Sequence, residues 1–325
     1  MRIGVYGAGA IGGYLGVRLA ACGHEVVLLG RPWLAELELS AADLGRDPVA
    51  ADPVVITTPE GLADCELVVV TTKSRHSREA GEVLGRILPE DTPVVSLQNG
   101  LHNPDWIAEG LGRAVLAGMV PFNVVREGGL FRKATTGPIH LQAGAEALAE
   151  ALRETGEQVH LTGDMRAVQA GKLLINLNNG ICAAAGIGIA ELVRDRRARR
   201  CYAACIREGL AAFRAEGQAV ARVGALAPGL LVHALPLPDW FVHTFAKGLV
   251  SIDEAATSST LQDLQRGNPT EIDQLNGEIV GLAGPEGAPV NAWIVGQVKR
   301  LEGEQPHGFV SLDDLAAAVD QLTRA

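Results

Sequence analysis

The first half of the chain alternates short apolar runs with longer stretches rich in Ala and Leu. The runs have the length and composition of buried strands, and they cover residues 3–6, 25–29, 54–57, 67–71, 93–97 and 114–117. Segments of helical length separate several of them, such as 10–22 and 77–88. This alternation of strand and helix predicts a parallel sheet covered by helices on both faces.

After about residue 163, helical periodicity replaces this pattern. Helices are predicted over 169–185, 198–218, 240–249, 268–282 and 311–323, and the Gly- and Thr-rich stretch 120–144 is interpreted as antiparallel strands and turns that close the sheet. The sequence therefore predicts an α/β protein with an N-terminal doubly wound sheet domain over 1–163. An all-helical C-terminal domain follows over 164–325, and we expect a cleft between the two.

Composition and charge restrict the class of function. Of the 325 residues, 47% are apolar and 20% are charged, which is typical of a globular protein. The net charge of −10 repels a phosphate backbone and argues against general nucleic-acid binding. A basic run from Arg194 to Arg200 departs from this balance, and we interpret it as a solvated helix face. No apolar run reaches the roughly 18 residues that span a bilayer, so no membrane partner is expected.

The cysteines and the chain start bear on the compartment. The five cysteines form no CxxC pair and have no metal-ligand spacing with histidine. Their count is odd, and the chain begins with a predicted strand rather than a targeting segment. We therefore expect reduced thiols in a cytoplasmic protein without a metal site.

The segment after the first strand is the strongest candidate for a binding site. It reads Gly7-Ala8-Gly9-Ala10-Ile11-Gly12, and it leads directly into an apolar helix. Gly7 permits the tight turn, Gly9 lets backbone approach a pyrophosphate, and Gly12 lets the helix pack close to the strand. The helix N-terminus then faces the phosphates, so a dinucleotide cofactor is predicted. The alternative is a plain glycine-rich turn between strand and helix.

The end of the second strand bears on which dinucleotide binds. A site that prefers NAD places a carboxylate there for the ribose hydroxyls, whereas this strand ends in Leu29-Gly30-Arg31. A guanidinium suits the 2′-phosphate of NADP because it binds phosphate with bidentate geometry. Arg31 therefore favours NADP(H), although exposed loop arginines also occur without such a role.

Two further polar residues follow predicted strands. Lys73 comes just after strand 67–71, and Asn99 comes just after strand 93–97. Ligands of an open α/β sheet bind outside the carboxyl ends of its strands, so both are candidates for cofactor or substrate contacts. The alternative is a turn role, since Asn99-Gly100 is a common turn dipeptide.

The second half carries a polar pair on an apolar helix. Lys172 and Asn176 are four residues apart, which places them on one helix face. Burial of unpaired Lys and Asn among Leu, Ile and Ala is costly, so a functional role is indicated. A lysine whose ammonium extends to the surface is the alternative.

Two later segments have ordinary structural interpretations. Asn268, Pro269 and Glu271 fit the N-cap, N1 and N3 positions of a capping box at the start of a helix. Ser259 fits a buried helical hydroxyl. The residues alone do not distinguish these structural roles of Glu271 and Ser259 from functional roles.

Together these segments resemble the ketopantoate reductase family over nearly the whole chain. The matching stretches are 7–13, 72–73, 98–100, 172–176, 258–263 and 270–277. The resemblance implies a Rossmann-type domain followed by a helical domain, NADPH as hydride donor and a 2-keto acid as acceptor. The order and spacing of the stretches carry the resemblance more than any single motif does.

The resemblance also implies roles for the candidate residues. Lys172 corresponds to the general acid that protonates the keto oxygen, and Glu271 to the group that holds this lysine or a substrate hydroxyl. Asn99 and Asn176 correspond to residues that position the substrate, and Ser259 to one that binds its carboxylate. Lys73 would border the cofactor and this carboxylate.

Some positions depart from the family pattern. Gly180, with Asn179 beside it, stands where an asparagine is expected eight residues after the lysine. An asparagine expected within 186–190 is absent, and His102 replaces a small residue. The residues for proton transfer, Lys172 and Glu271, are present, while some of the expected substrate-binding residues are changed. The substrate can therefore be ketopantoate or another 2-oxo acid.

Two further questions stay open from the sequence. A nucleotide-binding sensor without chemistry is the alternative from another class, although a sensor needs no proton donor such as Lys172. A homodimer is compatible with the apolar helical faces, which serve a core or an interface equally well.

Overall fold

The computed structural model describes residues 1–224, 226–240 and 257–324, and the chain divides into two compact units, Met1–Met165 and Arg166–Ala325. Within the described residues, no helix is both long and apolar enough to cross a membrane. The structure combines an N-terminal, mostly parallel sheet with a helical second unit, so the predicted fold class is confirmed.

An eight-stranded sheet forms the centre of the first unit. Its strands stand in the order β12-β11-β8-β7-β6-β1-β2-β5. Pairing is parallel except between β11 and β8. The strands are β1 Arg2–Tyr6, β2 Glu25–Leu29, β5 Val54–Ile56, β6 Leu67–Val70, β7 Val94–Ser96, β8 Leu116–Met119, β11 Ile139–Gln142 and β12 Val159–Thr162. The strand order reverses direction between β1 and β6, which is where ligands bind in such sheets.

Helices cover both faces of this sheet, as the alternating pattern predicted. One apolar cluster includes Tyr14 and Leu15 of one helix and Leu148 of another, and a second cluster includes Leu84 and Ile107 from the opposite face. The helices are α1 Ala10–Ala21, α2 Ser77–Ile87, α3 Asn103–Leu111 and α4 Glu146–Glu154. The sheet is therefore buried on both sides, which explains the nearly continuous apolar runs of its strands.

A second, four-stranded sheet corrects the interpretation of the stretch 120–144. Only β11 of that stretch joins the main sheet. The hairpin β9 Val124–Glu127 and β10 Leu130–Lys133 instead pairs with β3 Ser40–Ala42 and β4 Val49–Ala50, in the order β4-β3-β10-β9. Strands β3 and β10 are parallel and far apart in the chain, so local patterning could not reveal their pairing.

Helices make up the described part of the second unit. They are α5 Met165–Asn176, α6 Asn178–Ala185, α7 Ile189–Arg194, α8 Arg196–Ala215, α9 Pro228–Ala234, α10 Ser259–Gln265, α11 Asn276–Gly287, α12 Pro289–Glu302 and α13 Leu312–Leu322. Helix α8 packs against α9, α11, α12 and α13, which makes it the centre of the bundle. The predicted helix 240–249 lies outside the described residues except for Trp240.

The interpretation of the basic run as a solvated helix face was wrong for its most buried member. Arg199 is only 1% exposed. Its guanidinium donates to the backbone oxygens of Val193 and Arg194 at the end of α7, and to those of Leu235 and Leu237 just after α9. A cation at the carbonyl ends of helices is stabilising, and here it fastens α7, α8 and α9 together.

The predicted capping box at Asn268 was also wrong. Helix α11 begins only at Asn276, and Glu271 precedes a 3₁₀ turn, Ile272–Gln274. The Asn268 amide donates to Asp263 O at 2.8 Å, which closes the preceding helix α10. The Thr270 hydroxyl and backbone amide both donate to Glu302 Oε1, at 2.6 and 2.9 Å, so Thr270 is fastened to the end of α12 instead of starting a helix.

Candidate active site

The glycine turn lies at the point where the strand order reverses. Gly7 has φ +110°, a conformation that L side chains rarely adopt. Thr71, at the end of β6, donates from Oγ1 to Gly7 O at 2.6 Å, and a Cβ on Gly12 would clash with the same Oγ1. A Cβ on Gly9 would instead meet no atom within 4 Å. Gly7 and Gly12 are therefore required by backbone packing, while Gly9 leaves open space at the turn.

The N-terminus of α1 faces this turn without a side-chain cap. Gly9 is the N-cap, and no acidic residue lies in the first turn. The first bond of the helix runs from Gly13 N to Gly9 O at 2.8 Å, so the amides of Ala10, Ile11 and Gly12 precede it. These amides and the positive end of the helix dipole fit the pyrophosphate of a dinucleotide. Ala8 is buried, and its amide donates to Leu29 O at 2.9 Å.

Arg31 is exposed at the end of β2, next to the turn. A Cβ on Gly30 would lie 3.1 Å from Ala8 Cβ, which shows how closely the two loops approach. Arg31 is the N-cap of the 3₁₀ helix Pro32–Glu36, and it has an extended backbone. The strand end thus presents a guanidinium beside the nucleotide turn, in the place where a carboxylate would bind the ribose hydroxyls of NAD.

A buried amide network connects the loops that carry Lys73 and Asn99. Gln98 Nε2 donates to Thr72 O at 2.9 Å and to Ser77 Oγ at 2.9 Å. Ser77 Oγ donates to Asn103 Oδ1 at 2.7 Å, and Asn103 Nδ2 donates to the backbone oxygen of Asn99. Gln98, Ser77 and Asn103 are all buried. The network therefore holds the loop after β6 and the loop after β7 in one arrangement.

The sequence interpretation included Gln98 in a motif but missed Ser77 and Asn103. Both are the first residues of helices, α2 and α3. A polar residue at that position is common for capping alone, so the sequence held no signal that separated the two roles. Asn99 itself is exposed and Lys73 is half-buried at the edge of the sheet.

In the second unit, Lys172 and Asn176 lie one turn apart on α5. Both side chains are half-buried. Burial lowers the pKa of Lys172 from its ordinary value of 10.5 to about 8, because desolvation disfavours the ammonium. A lysine with a pKa near 8 is largely protonated at neutral pH and still gives up its proton readily, which suits a general acid.

The predicted helix 169–185 is broken directly after Asn176. Leu177 separates α5 from α6. The buried Tyr202 of α8 donates from its hydroxyl to Ile175 O at 2.7 Å, so this carbonyl has a partner at the break. Burial raises the pKa of Tyr202 well above its ordinary value, which keeps the hydroxyl a donor. Tyr202 thus fixes the end of α5 that carries Asn176, a role that the sequence did not reveal.

Two further segments contact the start of α6. Ser258 is the buried N-cap of α10, and its hydroxyl lies 3.3 Å from Asn179 O. Ser259, beside it, is exposed, so its interpretation as a buried hydroxyl was wrong. A Cβ on Gly180 would lie 2.9 Å from Ile272 Cδ1, and Ile272 follows Glu271 directly. The elements that carry Ser259 and Glu271 therefore meet the helix that follows Asn176.

The glycine at position 180 has a local explanation. A Cβ there would clash with Oδ1 of Asn276, whose Nδ2 donates to Asn291 Oδ1 at 2.9 Å. Asn291 in turn donates to Glu208 Oε2 at 2.7 Å and to Cys205 O at 3.1 Å. Asn276 and Asn291 are both fully buried. An asparagine side chain at position 180 would have no room beside this network.

Comparisons with known proteins cover most of the chain. Residues 3–146 match the family described as Ketopantoate reductase PanE/ApbA, and residues 164–302 match Ketopantoate reductase PanE/ApbA C terminal. A 2-dehydropantoate 2-reductase of Halobacterium salinarum is 28% identical over 300 residues, which are 87% of this chain and 92% of the relative. The enzyme of the same name from Mycobacterium tuberculosis is 29% identical over 298 residues, covering 88% and 92%.

Solved structures show the same architecture. A PanE/ApbA family ketopantoate reductase from Ralstonia eutropha JMP134 superposes with a TM-score of 0.80 at 27% identity, covering 94% of this chain and all of the other. A D-mandelate dehydrogenase with NADH and anilino(oxo)acetate shares the fold with a TM-score of 0.78 at 22% identity, covering 93% and 98%. The two family matches, the reductase relatives and the fold agree with one another. The chain belongs to the ketopantoate reductase family and is an oxidoreductase acting on CH–OH.

Proposed function

We propose that the protein reduces a 2-keto acid to a 2-hydroxy acid with NADPH, and that 2-dehydropantoate is its substrate. The observation that carries the proposal is the half-buried Lys172, whose pKa is lowered to about 8 on the face of α5 that also bears Asn176. The chain matches more than nine-tenths of the length of relatives that are named 2-dehydropantoate 2-reductases, and this supports 2-dehydropantoate as the substrate.

The proposed chemistry divides between the cofactor and the lysine. When bound, the nicotinamide supplies the hydride that the keto carbon accepts. Negative charge then develops on the keto oxygen, and the Lys172 ammonium stabilises it and donates the proton. The neutral amine left behind is favoured by the same burial that lowers the pKa of Lys172. Lys172 is thus suited both to release a proton and to take one up again from solvent.

The other polar residues are proposed to bind and orient. Glu271 would hold the Lys172 ammonium or a substrate hydroxyl, and Asn176 would position the substrate one turn from the lysine. Ser259, exposed at the N-terminus of α10, would bind the substrate carboxylate. In the first unit, Asn99 would position substrate and Lys73 would border the cofactor, and the buried amide network supports both loops.

The proposed preference for NADPH rests on Arg31. The guanidinium is exposed next to the glycine turn, at a strand end that has no carboxylate for the ribose hydroxyls. An arginine in this place accommodates the 2′-phosphate. The D-mandelate dehydrogenase structure, which has the same fold, contains NADH, so a comparison of NADPH with NADH tests the role of Arg31.

A second candidate function is reduction of a different 2-oxo acid. The observation that favours it is the packing at Gly180, where Asn276 and Ile272 fill the space of an asparagine side chain. A substrate-binding amide expected there by the family resemblance is therefore missing, and no asparagine occurs within 186–190. This changes the substrate contacts and leaves the proton donor in place.

A panel of 2-keto acids tests both candidates. Each acid is mixed with the protein and NADPH, or NADH, and the loss of reduced nicotinamide absorbance is followed. We expect 2-dehydropantoate to give the highest kcat/KM, with NADPH preferred over NADH. Much faster turnover of another acid would replace the first candidate by the second. Absence of oxidation with every acid would contradict both.

A further inference from the structure

The loop that carries Arg31 continues into an aromatic surface. Trp33 lies two residues further on, in the 3₁₀ helix Pro32–Glu36, and its side chain is half-buried against the apolar cluster that also contains Ala8. A Cβ on Gly30, which precedes Arg31, would lie 3.1 Å from Ala8 Cβ, so the start of this loop runs beside the glycine turn. Trp33 is therefore packed against the core of the first unit, two residues after Arg31 in the same loop.

A second arginine stacks on this tryptophan. The guanidinium carbon of Arg126 lies 4.3 Å from the centre of the Trp33 ring, although Arg126 is on strand β9, far away in the sequence. This distance is that of a cation–π contact, which holds the planar guanidinium in one orientation. Arg126 is an exposed residue, so the stacked guanidinium lies at the protein surface.

Strand register determines which way Arg126 points. Arg126 is paired directly with Phe131 of β10, so the two side chains are on the same face of the hairpin. Phe131 is fully buried, and its ring fills the place of a Cβ on Gly13, immediately after the glycine turn. Arg126 therefore lies on the hairpin face that packs towards the N-terminal turns of α1. Arg132, paired with Val125, lies on the opposite face.

The hairpin is anchored next to the Arg31 loop by backbone contacts. Ser40 N donates to Gly129 O at 3.0 Å, and a Cβ on Gly129 would clash with Glu38 O. Glu38 follows the 3₁₀ helix that bears Trp33 by two residues. The backbone of the hairpin that bears Arg126 is thus held against the segment that follows the Arg31 loop.

We propose that Arg126, held on the Trp33 ring, is a second cation that binds the 2′-phosphate of NADP(H) together with Arg31. This inference rests on the proposed NADPH dependence. A phosphate dianion has more charge and more acceptor sites than one guanidinium satisfies, and two arginines bind it with bidentate geometry. Stacking on Trp33 reduces the conformational entropy that Arg126 loses when phosphate binds.

Direct binding of NADPH and NADH tests the proposal, because the two differ only in the 2′-phosphate. Isothermal titration calorimetry without substrate compares the wild type with Arg126→Ala and with the matched control Arg132→Ala. Arg126→Ala is expected to weaken NADPH about tenfold, the loss of one charge-assisted contact, and to leave NADH unchanged. Arg132→Ala is expected to change neither affinity.

Variants of the ring test the stacking itself. Trp33→Leu keeps an apolar side chain in the cluster but removes the aromatic face, so it should weaken NADPH selectively, by a smaller factor than Arg126→Ala. Trp33→Phe keeps an aromatic face, so it should retain most of the wild-type affinity for NADPH. Unchanged NADPH affinity in Arg126→Ala, or equal weakening of NADPH and NADH, would overturn the proposal.

The same titrations separate this inference from the proposed function. Arg31→Ala should also weaken NADPH selectively. A selective effect of Arg31→Ala with none for Arg126→Ala would leave the NADPH preference standing and remove only Arg126 from the site. Equal affinity of the wild type for NADPH and NADH would overturn the cofactor proposal and this inference together.

Discussion

At the scale of single residues, the chemistry of the proposed site depends on how burial changes Lys172. The apolar sequence around this residue predicted an unusual environment for an ammonium, and burial lowers its pKa to about 8. An exposed lysine at neutral pH is too weak an acid to give up a proton readily. The same burial destabilises the charged form, so a function in catalysis would come at some cost to folding.

The rate of keto-acid reduction should therefore decrease as the pH is raised above neutrality. Because the protonated lysine is the proposed acid, kcat should fall as pH rises through about 8, where Lys172 loses its proton. A pH profile of kcat, measured with saturating substrate and cofactor, tests this. A rate that stays constant from neutral pH to well above 8 would contradict the role of Lys172 as acid.

Lys172→Met should make the fold more stable at neutral pH. Lys172 has a pKa of about 8 in the folded protein and 10.5 when unperturbed. Below 8 the folded protein must bury the ammonium, and this cost disappears above 10.5. The gain at neutral pH is about 3 kcal/mol. Urea denaturation measures it. The comparison is Lys299→Met, because Lys299 is exposed and pairs with Asp273 and Glu302, so its loss should leave stability unchanged or lower it. An equal gain for both variants would contradict the burial argument.

At other residues a common sequence motif led to a wrong structural prediction. The spacing of a capping box is matched by Asn268, Pro269 and Glu271. The backbone N–H of Asn268 instead donates to the end of the preceding helix. Ser259 fits a helix interior, yet its neighbour Ser258 takes the N-cap and leaves it exposed. Both errors arise because the same residue types serve at helix starts, helix ends and turns.

At the scale of elements, the break between α5 and α6 is the feature that the periodic pattern missed. Apolar periodicity continues through Leu177, so a single helix was predicted over 169–185. The break leaves Ile175 O next to a distant helix, where Tyr202 donates to it at 2.7 Å. The partner of this carbonyl is a side chain 27 residues away, which local patterning cannot reveal.

Tyr202→Phe should test the importance of this break. The substitution removes one hydroxyl and leaves a buried carbonyl without its partner, which costs about 1–2 kcal/mol of stability. If the break positions Asn176, kcat should fall while the affinity for NADPH stays the same. Loss of stability with an unchanged kcat would show that Tyr202 only supports the fold.

The strands of the main sheet were predicted well, for a physical reason. Buried parallel strands are continuous apolar runs in the sequence. The first and last residues of each predicted run lie within two residues of the ends of an observed strand. Antiparallel strands were expected within 120–144, but their membership of a separate sheet was not predicted, because β3 and β10 are short strands that pair across a long separation in sequence. Arg126 and Trp33 meet through that sheet, so their stacking was equally hidden.

At the scale of the whole chain, one buried arginine, Arg199, helps to hold the helices of the second unit together. The sequence showed only a basic run, which was interpreted as a solvated helix face, although one of its side chains is buried. Arg199 donates to backbone oxygens at the ends of two other helices and to Asp239 Oδ1 at 2.8 Å. A position inside a bundle depends on tertiary packing, which a charge pattern does not contain.

Arg199→Met should destabilise the protein much more than a substitution of its neighbour. It removes the donor of four partly buried carbonyls, at a cost of roughly 3 kcal/mol or more. Arg200→Met is the matched control, because Arg200 is 40% exposed and pairs with Asp320, and it should cost less than about 1 kcal/mol. Urea denaturation followed by far-UV circular dichroism compares them; similar losses would contradict the fastening role of Arg199.

The role proposed for Lys172 is tested most directly by NADPH oxidation with 2-dehydropantoate, measured for the wild type and for Lys172→Met, with NADPH affinity measured in parallel. We expect turnover by the wild type, a loss of at least about a hundredfold in kcat for Lys172→Met, and unchanged NADPH affinity. Turnover by Lys172→Met close to that of the wild type would contradict it.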